Sequence, residues 1–289
     1  MLTSCTPLRL GALAANLQQV GEDLWATTRC ARVSYPEDAS AECFAVESDS
    51  FWFRHRNQCV LAVVRRHAPA GPIFDVGGGN GCVAAELVRA GFPTVVVEPS
   101  PEGIRNARSR GLAPLVQATF EDAGFHEASL PAIGLFDVLE HVEDDRDFLR
   151  HIARTLVPGG LLYLTVPCGG WLWSEEDSRA GHFRRYSIRG LCGRLRQAGL
   201  RVAFASHCFS FLVPPILLLR TLPRLVGLRR RTPAAQIDSQ HQLPAGAAGR
   251  VLSATMQWEL RRLASGRCVT IGSSCLVVAR SPGGGGATP

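Results

Sequence analysis

The stretch IFDVGGGNGCVAAEL, Ile73 to Leu87, decides how the chain folds. An apolar run leads into four glycines within five positions, Gly77, Gly78, Gly79 and Gly81, and then into a helical pattern. A strand, a glycine turn and a helix together bring backbone N–H groups to a helix N-terminus, where no Cβ atoms block an approaching ligand. A plain strand-to-helix turn needs one glycine, so four point to a ligand. A phosphate loop requires G-x-x-x-x-G-K-[ST], and the chain contains no lysine. The dinucleotide fingerprint requires G-x-G-x-x-G or A; counted from Gly77 and Gly79, its third small position falls on Cys82, and Gly81 comes one residue early. The spacing present is acid-x-G-x-G-x-G, with Asp75 as the acid. A carboxylate beside the loop repels a phosphate and suits a ligand that carries positive charge.

Outward from this loop the sequence alternates short apolar runs with helical segments, the pattern of a parallel sheet covered on both faces. The predicted strands are Ile73 to Val76, Thr94 to Glu98, Pro114 to Ala118, Ala132 to Phe136, Leu161 to Val166 and Arg201 to Ser206. Helices are predicted near Cys82 to Ala90, Pro101 to Arg110, Arg146 to Leu156 and Ile188 to Ala198. LVPGG at Leu156 to Gly160 ends the third of these with Pro and Gly. CVTIGSSCLVVAR supplies one or two late strands. The expected organisation is an N-terminal helical cap over 1–70, a core over 71–208, a late helical insertion over 209–267, the final strand or strands over 268–280 and a low-complexity tail over 281–289, expected to be disordered.

With these residues in place, FDVGGGNG resembles motif I of the class I S-adenosylmethionine-dependent methyltransferases. The resemblance covers about Ile73 to Ser206. It implies a Rossmann-like α/β fold with a seven-stranded sheet, whose last strand is antiparallel, and S-adenosylmethionine as cofactor, leaving S-adenosylhomocysteine. Gly77, Gly78 and Gly79 would then line the donor, and Glu98, followed by Pro99 at the end of TVVVEPS, would accept the ribose hydroxyls. QATFEDAGF matches the family's adenine-binding turn, but Thr119 stands where an acid is usual, with Phe120 beside it and Glu121 and Asp122 following. FDVLEHVEDD, from Phe136 and Asp137 onward, is similar to the segment just past the methyl-donor site. In SFWFRHRN, Arg54 or Arg56 is placed to reach the methionine carboxylate.

Methyl transfer needs alignment of nucleophile, carbon and sulfur, and needs a base only when the acceptor must lose a proton. The candidates are His141, His182 and Tyr186, with Arg184 and Arg185 as anion holders in the loop PCGGWLWSEEDSRAGHFRRYS. That loop is too long for a plain connection and reads either as an acceptor lid or as a structural loop knitted by Arg–acid pairs; Ser187 is expected to cap the next helix. A divalent cation held by Asp137, Glu140 and His141 is a further candidate, because D-x-x-E-H resembles the metal-binding E-x-x-E-H of ubiquinone-biosynthesis O-methyltransferases. The segments SYPED, SFWFRHRN and GHFRRYS resemble bacterial enzymes of glycan or secondary-metabolite pathways. They imply O-methylation of a sugar or another small hydroxylated acceptor. N- or C-methylation, an NAD-dependent oxidoreductase and a non-catalytic binder remain the alternatives.

Composition constrains the rest. The chain has 289 residues and 46% apolar content, enough for a sizeable core. All 31 basic residues are arginine, which with the abundant Ala and Gly points to a GC-rich coding genome. The arginines form no stripe with interleaved aromatics, so no nucleic-acid partner is expected despite a pI near 9.0. Ten cysteines show no C-x-x-C pair and no zinc-like spacing, and read as small buried hydrophobes in a reducing compartment. The N-terminus lacks a signal-peptide pattern, and a cytoplasmic location is expected. FLVPPILLL, Phe211 to Leu219, is far short of the roughly 20 residues of a membrane span. With the arginine-rich run to Arg231 it is either a cover over the acceptor or a contact with a membrane surface and a lipid-linked acceptor.

Overall fold

The computed structural model describes residues 9–28, Phe44, Glu47, 50–218 and 246–283. Among the described residues, nine strands form one sheet. They are β1 (Gln18–Gly21), β2 (Leu24–Ala26), β3 (Ile73–Val76), β4 (Thr94–Val97), β5 (Leu115–Gln117), β6 (Leu130–Phe136), β7 (Leu156–Pro167), β8 (Arg201–Cys208) and β9 (Ser274–Arg280). Their spatial order is β1-β2-β5-β4-β3-β6-β7-β9-β8. Seven of them, β5 through β8 in that order, make the expected core, parallel except for β9, which runs antiparallel to both β7 and β8. Every residue of IFDV in β3 and of TVVV in β4 is buried. Continuous apolar runs of this kind are what a parallel sheet covered on both faces requires.

Two features correct the sequence expectation. Among the described residues the sheet has nine strands, because β1 and β2 form a hairpin that β2 attaches in parallel to β5. The first 70 residues are therefore not a purely helical cap. The hairpin escapes a pattern search because its strands are short and all four residues of β1 are exposed. Strand β7 also begins at Leu156, where the sequence suggested a turn, and pairs across an irregularity with Leu130 of β6.

Helices follow the predicted rhythm. Helix α1 (Phe51–Arg66) starts at Ser50, whose hydroxyl accepts from the amides of Trp52 and Phe53. Next come α2 (Cys82–Arg89), α3 (Pro101–Ser109), the short α4 (Phe120–Ala123), α5 (Asp145–Thr155), α6 (Glu175–Arg179) and α7 (Ile188–Gln197). Ser100 and Ser187 cap α3 and α7. Helix α5 puts Phe148, Leu149 and Ile152 on its buried face, against the same core as Leu162, Leu164 and Leu191. On the opposite face, α1 packs Cys59, Val60, Val63 and Val64 against Ile73, Phe136 and Tyr163.

Of the late insertion, the short helix α8 (Val213–Ile216) and α9 (Gly246–Ala264) are described. Glu259 keys α9 to the core: it is fully buried and accepts from His55 of α1 at 2.8 Å and from the amides of Phe209 and Ser210 at 3.0 and 2.5 Å. Among the described residues no helix is long and apolar enough to cross a membrane. SYPED, most of the run from Phe211 to Arg231 and the tail 284–289 lie outside the described residues.

Candidate active site

The glycine loop leaves β3 at Val76 and enters α2 at Cys82. Gly77 has φ +67°, and a Cβ there would lie 2.8 Å from a methyl of Val138, so the turn and the close approach both require glycine. Gly79, at φ +52°, faces open space, with no atom within 4 Å of where its Cβ would stand. Asp75 is buried directly beneath: its Oδ2 lies 3.1 Å from the missing Cβ of Gly78 and has no hydrogen-bond partner among the described residues. Burial pushes this carboxyl up to about 7, opposed by Arg56 and reinforced by Glu98. Glu98 is held by two backbone amides, Gly79 to Oε2 and Ser100 to Oε1, both at 2.8 Å. Each carboxylate oxygen has lone-pair capacity left for a hydroxyl. An orphaned buried carboxylate oxygen, open space before the loop and a fixed second carboxylate fit a cationic nucleoside donor.

The other expected donor contacts divide. Pro99 is half-buried beside Glu98. Thr119 spends its hydroxyl oxygen capping α4, accepting from Asp122 N at 3.0 Å. The rings of Phe120 and Phe136 are buried in the two cores. Arg54 is exposed and Arg56 buried. Arg56 pairs with Asp137 at 3.0 Å and lies over the rings of Trp52 and Phe53 at 5.2 and 5.1 Å. Asp137 has φ +60°, a left-handed conformation at the end of β6, and its other oxygen accepts from Thr165.

That pairing corrects the cation set. Asp137 is committed to Arg56 and Thr165, and the groups that converge are Glu140, His141 and His182, whose candidate ligand atoms lie within 4.8 Å of one another. Glu140 is wholly buried, and its carboxylate oxygens have no hydrogen-bond partner among the described residues. Burial, reinforced by the Asp137 charge, pushes its carboxyl well above the usual range. His141 and His182 stand edge to face with ring centres 4.8 Å apart. Burial and the neighbouring His182 lower His141 to about 4, so it is a neutral imidazole near pH 7.

His182 carries the most directed geometry. Its Nδ1 meets Oδ1 of Asp177 at 3.0 Å, and its Nε2 is 4.0 Å from Glu140. Asp177, which the sequence reading passed over, also caps α6 by accepting from the Ser174 amide at 2.8 Å. Burial works against its charge, but His182 and Arg185 hold it down to about 2. The capping pattern S-x-x-D at Ser174 was visible in the sequence; the reach from Asp177 to His182 across the turn was not.

Tyr186 leaves the acid–base set. It is buried, its hydroxyl donates to Asp145 at 2.7 Å, and burial with that carboxylate raises its pKa. Asp145 also meets Arg184 and Arg194, each at 3.1 Å. Arg185 donates to Asp177 and to the Cys168 carbonyl. The loop is thus knitted by Arg–acid pairs, and it leaves Trp171 and Phe183 exposed at its surface.

A family profile described as a methyltransferase domain matches residues 52–203, just over half of the chain. A ubiquinone biosynthesis O-methyltransferase of Xanthomonas oryzae is 32% identical over 100 residues, 32% of this chain and 42% of the relative. The chain thus spans less than half the length of the curated relatives it matches first. Among solved structures, the [4+2]-cyclase SpnF superposes with a TM-score of 0.54 at 18% identity, covering 88% of this chain and 99% of the other. A phosphoethanolamine N-methyltransferase of Haemonchus contortus, solved with S-adenosyl-L-methionine, gives 0.52 at 17% identity, covering 84% of this chain and 57% of that one. At these identities the structural likeness speaks for the fold.

Proposed function

The chain belongs to the methyltransferase-domain family, the class I S-adenosylmethionine-dependent methyltransferases, and from that premise we propose that it methylates a hydroxyl of a small acceptor such as a sugar or secondary metabolite. Bound S-adenosylmethionine supplies a methyl group already activated on a sulfonium. Asp75 supplies negative charge beneath the loop, Glu98 accepts the ribose hydroxyls, and the backbone at Thr119 and Phe120 meets the adenine. Arg56, steadied by Asp137, completes the donor wall.

The observation that carries the acceptor reading is the Asp177–His182 pair. A carboxylate fixes the imidazole in the Nδ1–H tautomer, leaving Nε2 as a base on the side of Glu140 and His141. A neutral amine needs no such base, whereas a hydroxyl that must lose a proton gains from one. Trp171 and Phe183 offer the flat apolar surface on which a sugar or aromatic ring packs. A cytoplasmic location and a small-molecule acceptor accompany this reading.

Calorimetry with S-adenosylmethionine, S-adenosylhomocysteine and NADH tests the donor, and transfer of labelled methyl to matched hydroxyl and amine acceptors tests the chemistry. Binding of NADH alone would overturn the donor assignment. Transfer confined to amines, with His182→Gln unimpaired, would overturn O-methylation. Donor binding with no transfer to any acceptor would favour a binder.

A further inference from the structure

Three side chains far apart in sequence meet at the same edge of the sheet as the glycine loop, but away from it on β7, β9 and β8. Cys275 of β9 is the register partner of Val166 in β7 and of His207 in β8. Directly opposed residues of an antiparallel pair share a face, and so do residues two apart on one strand. Cys168, two residues beyond Val166, therefore projects on the same face as Cys275 and His207. The pleat thus gathers two thiols and one imidazole at the carboxyl edges of β7 and β8, the edge at which this architecture binds ligands.

From this placement we propose that Cys168, His207 and Cys275 form a binding site for a soft divalent cation, zinc above all. One candidate ligand atom from each lies within 4.8 Å of the other two. Tetrahedral zinc with Zn–S bonds of about 2.3 Å places its ligand atoms roughly 3.8 Å apart, so the three side chains stand close to one face of that tetrahedron. Two sulfurs and an imidazole are the donor set that selects zinc over magnesium or calcium, which take oxygen ligands. Three protein ligands leave the fourth position to water or to an incoming group. With both thiols ionised and the imidazole neutral, the bound divalent ion is electrically balanced, which suits a site where Cys168 and Cys275 are buried.

The surroundings hold the ligands in place. Nδ1 of His207 meets the Val269 carbonyl at 3.3 Å, which fixes the Nδ1–H tautomer and turns the Nε2 lone pair to the sulfurs. A backbone carbonyl on the second nitrogen is the usual support of a metal-bound histidine. That carbonyl also accepts the His207 amide at 3.1 Å, and the Val269 amide donates to Ser206. The Cys168 amide donates to Ser273 at 2.7 Å and its carbonyl accepts from Arg185.

The test uses the full chain, freed of metal by a chelator and titrated with Zn²⁺ in competition with a chromogenic chelator, then separately with Co²⁺. The expected result is one zinc per chain, and a cobalt form with sulfur-to-metal charge-transfer absorption and tetrahedral ligand-field bands. Affinity should fall at least about a hundredfold in Cys168→Ser and about tenfold to a hundredfold in His207→Asn. X-ray absorption on the zinc-loaded wild type gives a readout that needs no variant: two sulfurs and one imidazole nitrogen are expected. Substoichiometric zinc, an octahedral cobalt spectrum without sulfur charge transfer, or unchanged affinity in folded variants would overturn the site. So would isolation of a Cys168–Cys275 disulfide as the resting form under reducing conditions.

Discussion

The two halves of the sheet are built on different principles. On the side of β3, β4 and β5, Asp75 lies in its strand, the other candidate donor residues from Gly77 to Phe120 follow directly after theirs, and neighbouring strands simply bring these segments side by side. On the side of β6 to β9, the groups come from a left-handed residue at a strand end, a loop turned back by a capping aspartate, and an antiparallel strand from the end of the chain. The first arrangement can be encoded by local spacing; the second exists only after the chain has folded.

The sharpest way to break this division is His182→Ala. If His182 serves the acceptor alone, kcat falls about 10²–10⁴-fold while the donor dissociation constant measured by calorimetry stays put. Weakened donor binding in this variant would mean that the halves are not separate. Next in size is Asp75→Asn, which preserves shape and removes charge. It should weaken S-adenosylmethionine binding about tenfold to a hundredfold and leave acceptor KM unchanged in steady-state kinetics.

Tyr186→Phe tests the reassignment of a predicted acid–base group. Its hydroxyl satisfies a buried aspartate, so removal should cost roughly 1–3 kcal/mol in urea unfolding, with kcat nearly intact. A large loss of kcat in folded protein would restore the tyrosine to the chemistry. The smallest effect is a proton count. Asp75 titrates near 7 in the folded chain against 3.8 ordinarily, so between those values the folded state holds a proton that the unfolded chain has released. Its contribution to stability is therefore lost as pH rises through that window. A cationic donor favours the ionised form, so binding just below pH 7 should release protons and tighten as pH rises. Calorimetry in buffers of different ionisation enthalpy measures the count; zero release would remove Asp75 from the donor's field.

The same contrast explains what could be read from the sequence. The glycine loop, the six parallel strands and four helices were legible because buried parallel strands such as β4 are continuous apolar runs and two of the four helices carry serine caps. Glu98 was legible by its distance from the loop. Asp177 was hidden because its partner His182 lies across a turn whose shape the sequence does not state, and Tyr186 looked reactive because polarity in sequence does not reveal burial. Cys168 and Cys275 stand 107 positions apart, beyond any spacing rule for metal ligands, and only the β7–β9 register joins them. The pairing of Asp137 with Arg56 was equally invisible, since it depends on where α1 docks.

The β1–β2 hairpin has a consequence of a different kind. Without it, β5 would end the sheet with its backbone N–H and C=O groups unpaired, a template onto which another chain can add. The hairpin moves that edge outward to β1, a four-residue strand with every residue exposed and an irregular register. Short, kinked, polar edges resist strand-by-strand growth. The segment ahead of the glycine loop thus also guards against aggregation, and trimming the chain to its seven-stranded core would trade solubility for compactness.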